Sequence, residues 1–329
     1  MDKIRRSILA TILYFDVMDY PLTLVELSKW LWTGSESATT EALVQELNAL
    51  VEHSHLETHN GFFFVPGRST IIQTRLDRYR WALSKIVRAK QMLWWISLLP
   101  FVRGIALVNT LGFLHSRKEG DVDCLIIGSY GNLWACRLFT TGIIALLGLR
   151  PHEHQGQDAL CFSFYLSDRE MDLRSIALRS DHSHCHDHNT VHSHQSSPDD
   201  PYLVYWIASA LSLYDSGRVF EKFHTANSWI GDYINSSSGR SEHPQWCIRD
   251  NGIRRLLIVG RSIVERILSL VQFEQFAQWY QRRRLPDSLK QSTENQSSGV
   301  IMNNAMLKFH NPDKREHIKT IWHERLTNL

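Results

Sequence analysis

The sequence predicts an α+β chain built in consecutive parts, and three observations carry that expectation. Apolar residues recur at helical spacing through the first fifty positions and again beyond Asp200. Between about 101 and 178 they form short β-branched runs bounded by Gly, Asn and Asp, the pattern of strands. At 329 residues, the chain is long enough for two domains, or for one large domain with an appendage.

Taken in order, Ile4, Ile8, Ile12 and Phe15 mark a first helix, Thr23 and Glu26 form a capping-box pattern, and Leu43, Val44, Leu47, Leu50 and Val51 define a third helix. Leu56 to Thr58 and Phe62 to Val65 flank Asn60-Gly61, a pair that readily supplies the two positive φ angles of a type I′ hairpin turn. Three helices closed by a hairpin over residues 1–66 resemble a winged helix. DNA reading is nonetheless not expected. Between Trp30 and Gly67 there is no Lys or Arg, while Glu36, Glu41, Glu46, Glu52 and Glu57 would repel phosphates. A packing or dimerisation role is expected instead.

A long helix follows from Gly67 to Ser97, with Arg68, Arg75, Arg78, Arg80, Lys85, Arg88 and Lys90 against Asp77 alone. It reads either as a surface that steers a polyphosphate or RNA or as a solvated basic face. Residues 102–108, 121–127 and 159–166 read as strands, Leu111 to Ser116 as a short helical turn, and Leu133 to Leu149 as a buried helix. The last is apolar, but it holds Arg137 and reaches only about 17 residues, the lower limit for spanning a bilayer. Asp200 caps a helix with Pro201 in its first turn, and helices are expected at 201–214, 217–234, 250–284 and 312–327, with polar loops at 235–245 and 286–299. The expected domain plan is therefore 1–66, a core at 67–180, an insertion at 181–199 and a helical region at 200–329.

Composition sets limits on function. Apolar residues make up 43% and charged residues 21%, the usage of a folded globular chain. The formal net charge is +2, from 36 basic and 34 acidic residues, which gives no global pull toward nucleic acid or an anionic membrane. Cysteines at 124, 136, 161, 185 and 247 form no CxxC pair, which suits a reducing cytoplasm. Asp16 and Asp19 stand where a signal-peptide cleavage site would need small residues, so the start reads as a helix and no membrane partner is expected.

The chemistry-bearing stretch is 102–128. A strand runs into Asn109-Thr110, a short helical turn follows, and Asp121 and Asp123 open the next strand. Residues i and i+2 of a strand point to the same side, so both carboxylates face one site, suited to Mg²⁺ or Mn²⁺. The turn aims backbone N–H groups at the place where phosphates would sit. Arg117 and Lys118, between turn and carboxylates, read equally as triphosphate contacts or as solvent-facing caps.

These residues resemble the polymerase-beta-like nucleotidyltransferase superfamily. Gly120-Asp121-Val122-Asp123 looks like its Ser-Asp-Ile-Asp signature, and Asn109-Thr110 stands at its Gly-Ser turn. The order of parts is similar to bacterial nucleotidyltransferase-domain chains, which carry stretches like Leu160-Cys161-Phe162-Ser163-Phe164 and Leu307-Lys308-Phe309-His310. The resemblance implies a metal-dependent transfer of a nucleoside monophosphate from an NTP to an acceptor that is a small molecule, a protein or an RNA. Asp121 and Asp123 would hold the metal, and Asn109, Thr110, Arg117 and Lys118 the nucleotide. The alternative is a nucleotide-binding sensor or assembly module without turnover.

Two departures stand out. Asn109 replaces glycine, although Asn is the best non-Gly residue at an unusual φ. Active members of the superfamily usually bring a third carboxylate from a later strand, and 159–166 contains none; Asp158 and Asp168 flank it, and Ser163 is a candidate for the spot. Lys308, His310, Lys314 and Arg315 are candidates to reach a nucleotide from the C-terminal region, or else form a basic surface. The histidine run His182, His184, His186, His188, His192 and His194, with Cys185 among them, offers many interchangeable ligands for Zn²⁺, Ni²⁺ or Cu²⁺. It is expected to be a flexible insertion of adventitious metal affinity, distinct from the catalytic metal site.

Overall fold

The computed structural model of the chain describes residues 3–33, 39–146, 158–178, 200–234, 245–249, 251–294, 299–310 and 313–328. The histidine run lies outside the described residues.

The first part follows the sequence pattern closely. Helices α1 (Lys3–Asp16), α2 (Leu24–Trp30) and α3 (Thr40–Glu52) precede a three-stranded sheet of β1 (Leu22–Thr23), β2 (Glu57–His59) and β3 (Phe62–Phe64), in the order β1-β3-β2. The capping box forms, with the Thr23 hydroxyl accepting from the Glu26 N–H while the Glu26 carboxylate accepts from the Thr23 N–H. At the hairpin Asn60 has φ 52° and Gly61 φ 78°, the two left-handed residues that the turn requires.

The central sheet is the scaffold of the molecule. Strands β4 (Val102–Leu107), β5 (Val122–Gly128) and β6 (Leu160–Ser167) fall where the sequence places strands, and α5 (Leu133–Leu146) connects the parallel pair β5 and β6. Three more strands come from beyond Asp200: β7 (Leu211–Asp215), β8 (Val300–Met302) and β9 (Met306–Phe309), giving the order β7-β4-β5-β6-β9-β8. The expectation of a purely helical region after residue 200 is thus corrected. Residues 201–214 are buried on every side, so their periodicity does not separate helix from strand; α6 (Pro201–Ser209) ends at Ala210 and β7 begins at once. The expected helix at 250–284 is likewise two helices, α8 (Gly252–Leu270) and α9 (Phe273–Arg284), broken at Gln272 with φ 51°. Part of the expected loop at 286–299 is α10 (Asp287–Glu294).

Alternation along the strands buries both faces of the sheet. Ala106, Leu125, Ile127, Phe164 and Leu166 join the core of the N-terminal helices, α6, α7 (Val219–Ala226) and Trp322 of α11 (Arg315–Thr327). Ile105, Leu107, Cys124, Ile126 and Tyr165 face α5 and the long helix α4 (Ile71–Ile96). The N-terminal unit therefore shares one apolar core with the sheet, and each face is shielded from water by helices.

The basic helix α4 turns part of its charge onto the protein itself, while Arg80 and Arg88 stay exposed. Arg75 pairs with Glu26 at 2.6 Å and lies over the Tyr20 ring, and Arg78 pairs with Asp19 at 3.0 Å. Lys85 and Arg88 both hold Asp158, at 3.2 and 2.8 Å. Of the two readings offered by its sequence, neither a steering surface nor a solvated face describes Arg75, Arg78 and Lys85, whereas Arg88 keeps an exposed side chain.

Candidate functional site

At the C-terminal end of β4 the chain turns through a single 3₁₀ turn, Asn109–Leu111, and re-enters the sheet antiparallel as β5. Asn109 has φ 56°, the left-handed conformation that Asn tolerates better than other residues with a Cβ. This turn brings Asn109 beside the start of β5, where its Nδ2 donates to Asp123 Oδ2 at 2.7 Å. The Val108 N–H donates to the Asp123 carbonyl at 3.1 Å, so backbone and side chain both tie turn to strand. Tyr202 of α6 completes the arrangement, its hydroxyl donating to Asn109 Oδ1 at 2.9 Å. Tyr202 was invisible as a site residue in the sequence, because nothing there links position 202 to position 109.

Asp121 and Asp123 do face one place, as their spacing predicts. A third group joins them from β6: ligand atoms of Asp121, Asp123 and Cys161 lie within 4.8 Å of one another. Parallel pairing sets Asp123 opposite Cys161, with a register irregularity just beyond. Neither expected substitute for a third carboxylate reaches the place. Asp158 is held by Lys85 and Arg88. Asp168 stands at the far end of β6, where it accepts from the Tyr130 N–H at 2.8 Å. Ser163 instead shares a hydrogen bond with His310 Nε2 at 3.0 Å, one residue pair away from Cys161 on the same face of the strand.

The electrostatics are those of a site short of positive charge. Burial, then the neighbouring Asp121 carboxylate, pushes the Asp123 carboxyl up to about 6, against opposing hydrogen bonds from Asn109 and Cys161. Burial and the Asp123 carboxylate push the Cys161 thiol up to about 12. A divalent cation would reverse both effects, and two carboxylates with a thiol are donors that such an ion accepts. The donor set fits Mg²⁺ less well than Mn²⁺, since sulfur is too soft a ligand for Mg²⁺.

The remaining candidates divide. Thr110 is exposed in the turn, and Arg117 and Lys118 are exposed in the loop before Asp121, with the Lys118 ammonium 5.2 Å from the Trp81 ring centre. Lys85 fixes that loop from beneath, its buried ammonium donating to the Gly120 carbonyl next to Asp121. Lys314 is exposed, and its charge stabilises the Asp123 carboxylate. Lys308 and Arg315 serve structure: Lys308 lies 3.2 Å from Asp313, and Arg315 bonds Asp313 and Asp200 at 2.8 and 2.9 Å. Burial lowers Lys308 to about 8 and His310 to about 4, so His310 is neutral at physiological pH.

No family model matches the chain, and neither the curated proteins nor the solved structures contain a match to it.

Proposed function

We propose that the protein is a metal-dependent nucleotidyltransferase that moves a nucleoside monophosphate from an NTP to an acceptor, with a polymerase-beta-like core and a winged-helix-like N-terminal unit. The observation that carries this reading is the convergence of Asp121 and Asp123 beside a left-handed turn at Asn109. Asp121, Asp123 and Cys161 would hold a divalent cation, preferably Mn²⁺, which would supply charge stabilisation for transfer at phosphorus. Asn109 orients Asp123 by donating to one carboxylate oxygen, leaving the other for the cation. Thr110 and the backbone N–H groups of the turn would meet the departing phosphates, and the exposed Arg117, Lys118 and Lys314 would supply cationic charge.

A second reading, nucleotide binding without turnover, is favoured by one observation. Cys161, not a carboxylate, stands opposite Asp123 on β6, and a protonated thiol does not take a proton from an acceptor hydroxyl.

The deciding experiment measures Mn²⁺-dependent binding of fluorescent NTPs and release of pyrophosphate by the full chain, beside Asp121→Asn and Asp123→Asn. Binding lost in both variants supports the site, and pyrophosphate release by the unaltered chain supports transfer. Binding without release selects the second reading. Unchanged NTP binding in both variants refutes the assignment.

A further inference from the structure

Helix α8 is seated with its polar side against the protein. Its buried residues are Arg254 and Arg261. Arg254 donates to the Ser97 hydroxyl at 2.9 Å, and Arg261 donates to the carbonyls of Ser97 and Val102 at 3.0 and 3.1 Å. One turn further, Glu265 holds Arg103 through two bonds of 2.9 and 2.8 Å and accepts from the Phe101 N–H at 2.6 Å. At 3.6 residues per turn, these three side chains leave the helix within about 40° of one another.

The opposite side is apolar throughout. Ile253, Leu256, Val259, Ile263, Ile267 and Leu270 are between 55% and 83% exposed. Six large apolar side chains more than half exposed on one helix face make a contiguous patch at or above the size of an ordinary monomer's largest, about 300–600 Å². On the next helix, α9, Phe276 and Trp279 are exposed as well.

An apolar face of this kind suits a second copy of the chain as well as a lipid surface. Charge argues against the second copy. From Asn251 to Arg284 the only carboxylates are Glu265 and Glu274, and both are engaged inward, Glu274 by the N–H groups of Trp134 and Ala135. The exposed charges there are Arg255, Arg266, Arg282, Arg283 and Arg284. Arg255 and Arg266 share one flank of the apolar stripe. In an antiparallel pair of α8 helices crossing at Gly260, Arg255 of each copy would therefore meet Arg266 of the other with no acid to offset them.

We propose that α8 lies in the plane of an anionic membrane surface and docks the protein there peripherally, contrary to the sequence expectation of no membrane partner. The apolar stripe enters the acyl boundary, and the arginines meet the negative headgroups. Trp279, with the Arg283 guanidinium 4.9 Å from its ring centre, is of the type that settles at headgroup level. The helix is roughly 28 Å long and is already held flat by its polar side, so docking demands no refolding. Its contacts with the body, at Ser97 to Arg103, lie at the opposite end of β4 from Asn109, about 20 Å away along the strand. The carboxylate site therefore lies at the end of β4 remote from the docked helix. This proposal stands independently of the nucleotide reading.

The test is flotation of the full chain with vesicles of phosphatidylcholine alone and of phosphatidylcholine with phosphatidylglycerol, at low and high salt. Partition onto the anionic vesicles at least about tenfold above the neutral ones, weakened by salt, is expected. Leu256→Glu with Ile263→Glu should abolish it, and Arg255→Glu with Arg266→Glu should reduce it to the neutral level. Thermal melts of both should be unchanged, because all four side chains are exposed. Should the glutamate pair disturb folding, Leu256→Asn with Ile263→Asn removes the apolar contact without adding charge. Absence of partition onto anionic vesicles overturns the proposal, as does full partition by the folded apolar-face variants. A dimer in sedimentation that the same substitutions dissolve, without lipid binding, assigns the face to a second copy.

Discussion

Asn109 and Asp123 are fourteen residues apart in sequence and joined by a 2.7 Å hydrogen bond, with Tyr202 donating to the same amide from the other side. The bond explains why a turn that resembles a Gly-Ser motif carries Asn. Glycine would satisfy the left-handed backbone equally well, but only a side-chain amide can both adopt φ 56° and orient the carboxylate.

That dual role separates two substitutions. Asn109→Ala should cost about 1 kcal/mol of stability, because Ala keeps the left-handed Cβ but loses the polar side chain that makes this conformation tolerable, whereas Asn109→Gly should cost less. Both should weaken Mn²⁺ binding by about tenfold, since Asp123 loses the donor that orients it. Thermal melts and calorimetric Mn²⁺ titrations distinguish the two effects; undiminished Mn²⁺ affinity in both variants would show that the amide does not orient a ligand.

The raised Asp123 carboxyl has a definite consequence for stability. An acid whose folded-state pKa of about 6 exceeds its ordinary 3.8 favours the fold when protonated, so its contribution is full below about pH 4 and lost as pH rises through 6. Asp123→Asn keeps a neutral, hydrogen-bonding side chain at all pH values. It should therefore raise metal-free stability at pH 7.5 by on the order of 2 kcal/mol and have little effect at pH 4. Urea melts at the two pH values measure this, and equal effects at both would contradict the sign.

Cys161 is testable as a ligand through its sulfur. Co²⁺ added to the full chain should give a sulfur-to-metal charge-transfer band in the near ultraviolet, absent from Cys161→Ser. Cys161→Asp would supply the third carboxylate and should move the preference from Mn²⁺ toward Mg²⁺. Identical Co²⁺ spectra for the chain and Cys161→Ser would remove the thiol from the site.

Arg315 is predicted to be structural. It is 4% exposed and bonds Asp200, Asp313 and the Ile176 carbonyl, joining α11 to the start of α6. Arg315→Ala leaves the fully buried Asp200 without its cation and should cost about 3–5 kcal/mol in a chemical melt. Stability within 1 kcal/mol of the unaltered chain, as expected of surface substitutions, would return Arg315 to the role of a nucleotide contact.

Deleting residues 182–194 should abolish retention on a nickel column and leave the melting temperature and Mn²⁺ binding unchanged. A large loss of melting temperature would make the histidine run part of the fold.

Local chemistry made much of this protein legible in its sequence. The Thr23–Glu26 box, the Asn60-Gly61 turn and the placement of Asp121 and Asp123 on one side of a strand depend on residues within three positions of each other, where spacing and backbone preference suffice. Long-range relations were not legible. Strands β7 and β9 are short and join the sheet through β4 and β6, far away in sequence, and the three-residue β8 pairs only with β9, so no period announces them. Asp158, adjacent in sequence to the site strand, was claimed by Lys85 and Arg88, while Cys161 entered the site through its parallel pairing with Asp123. Residue type and spacing fix which residues can begin a strand, close a turn or carry a charge. Tertiary structure alone decided which of them meet, because register and ion pairing depend on the distance between elements that the order of residues does not contain.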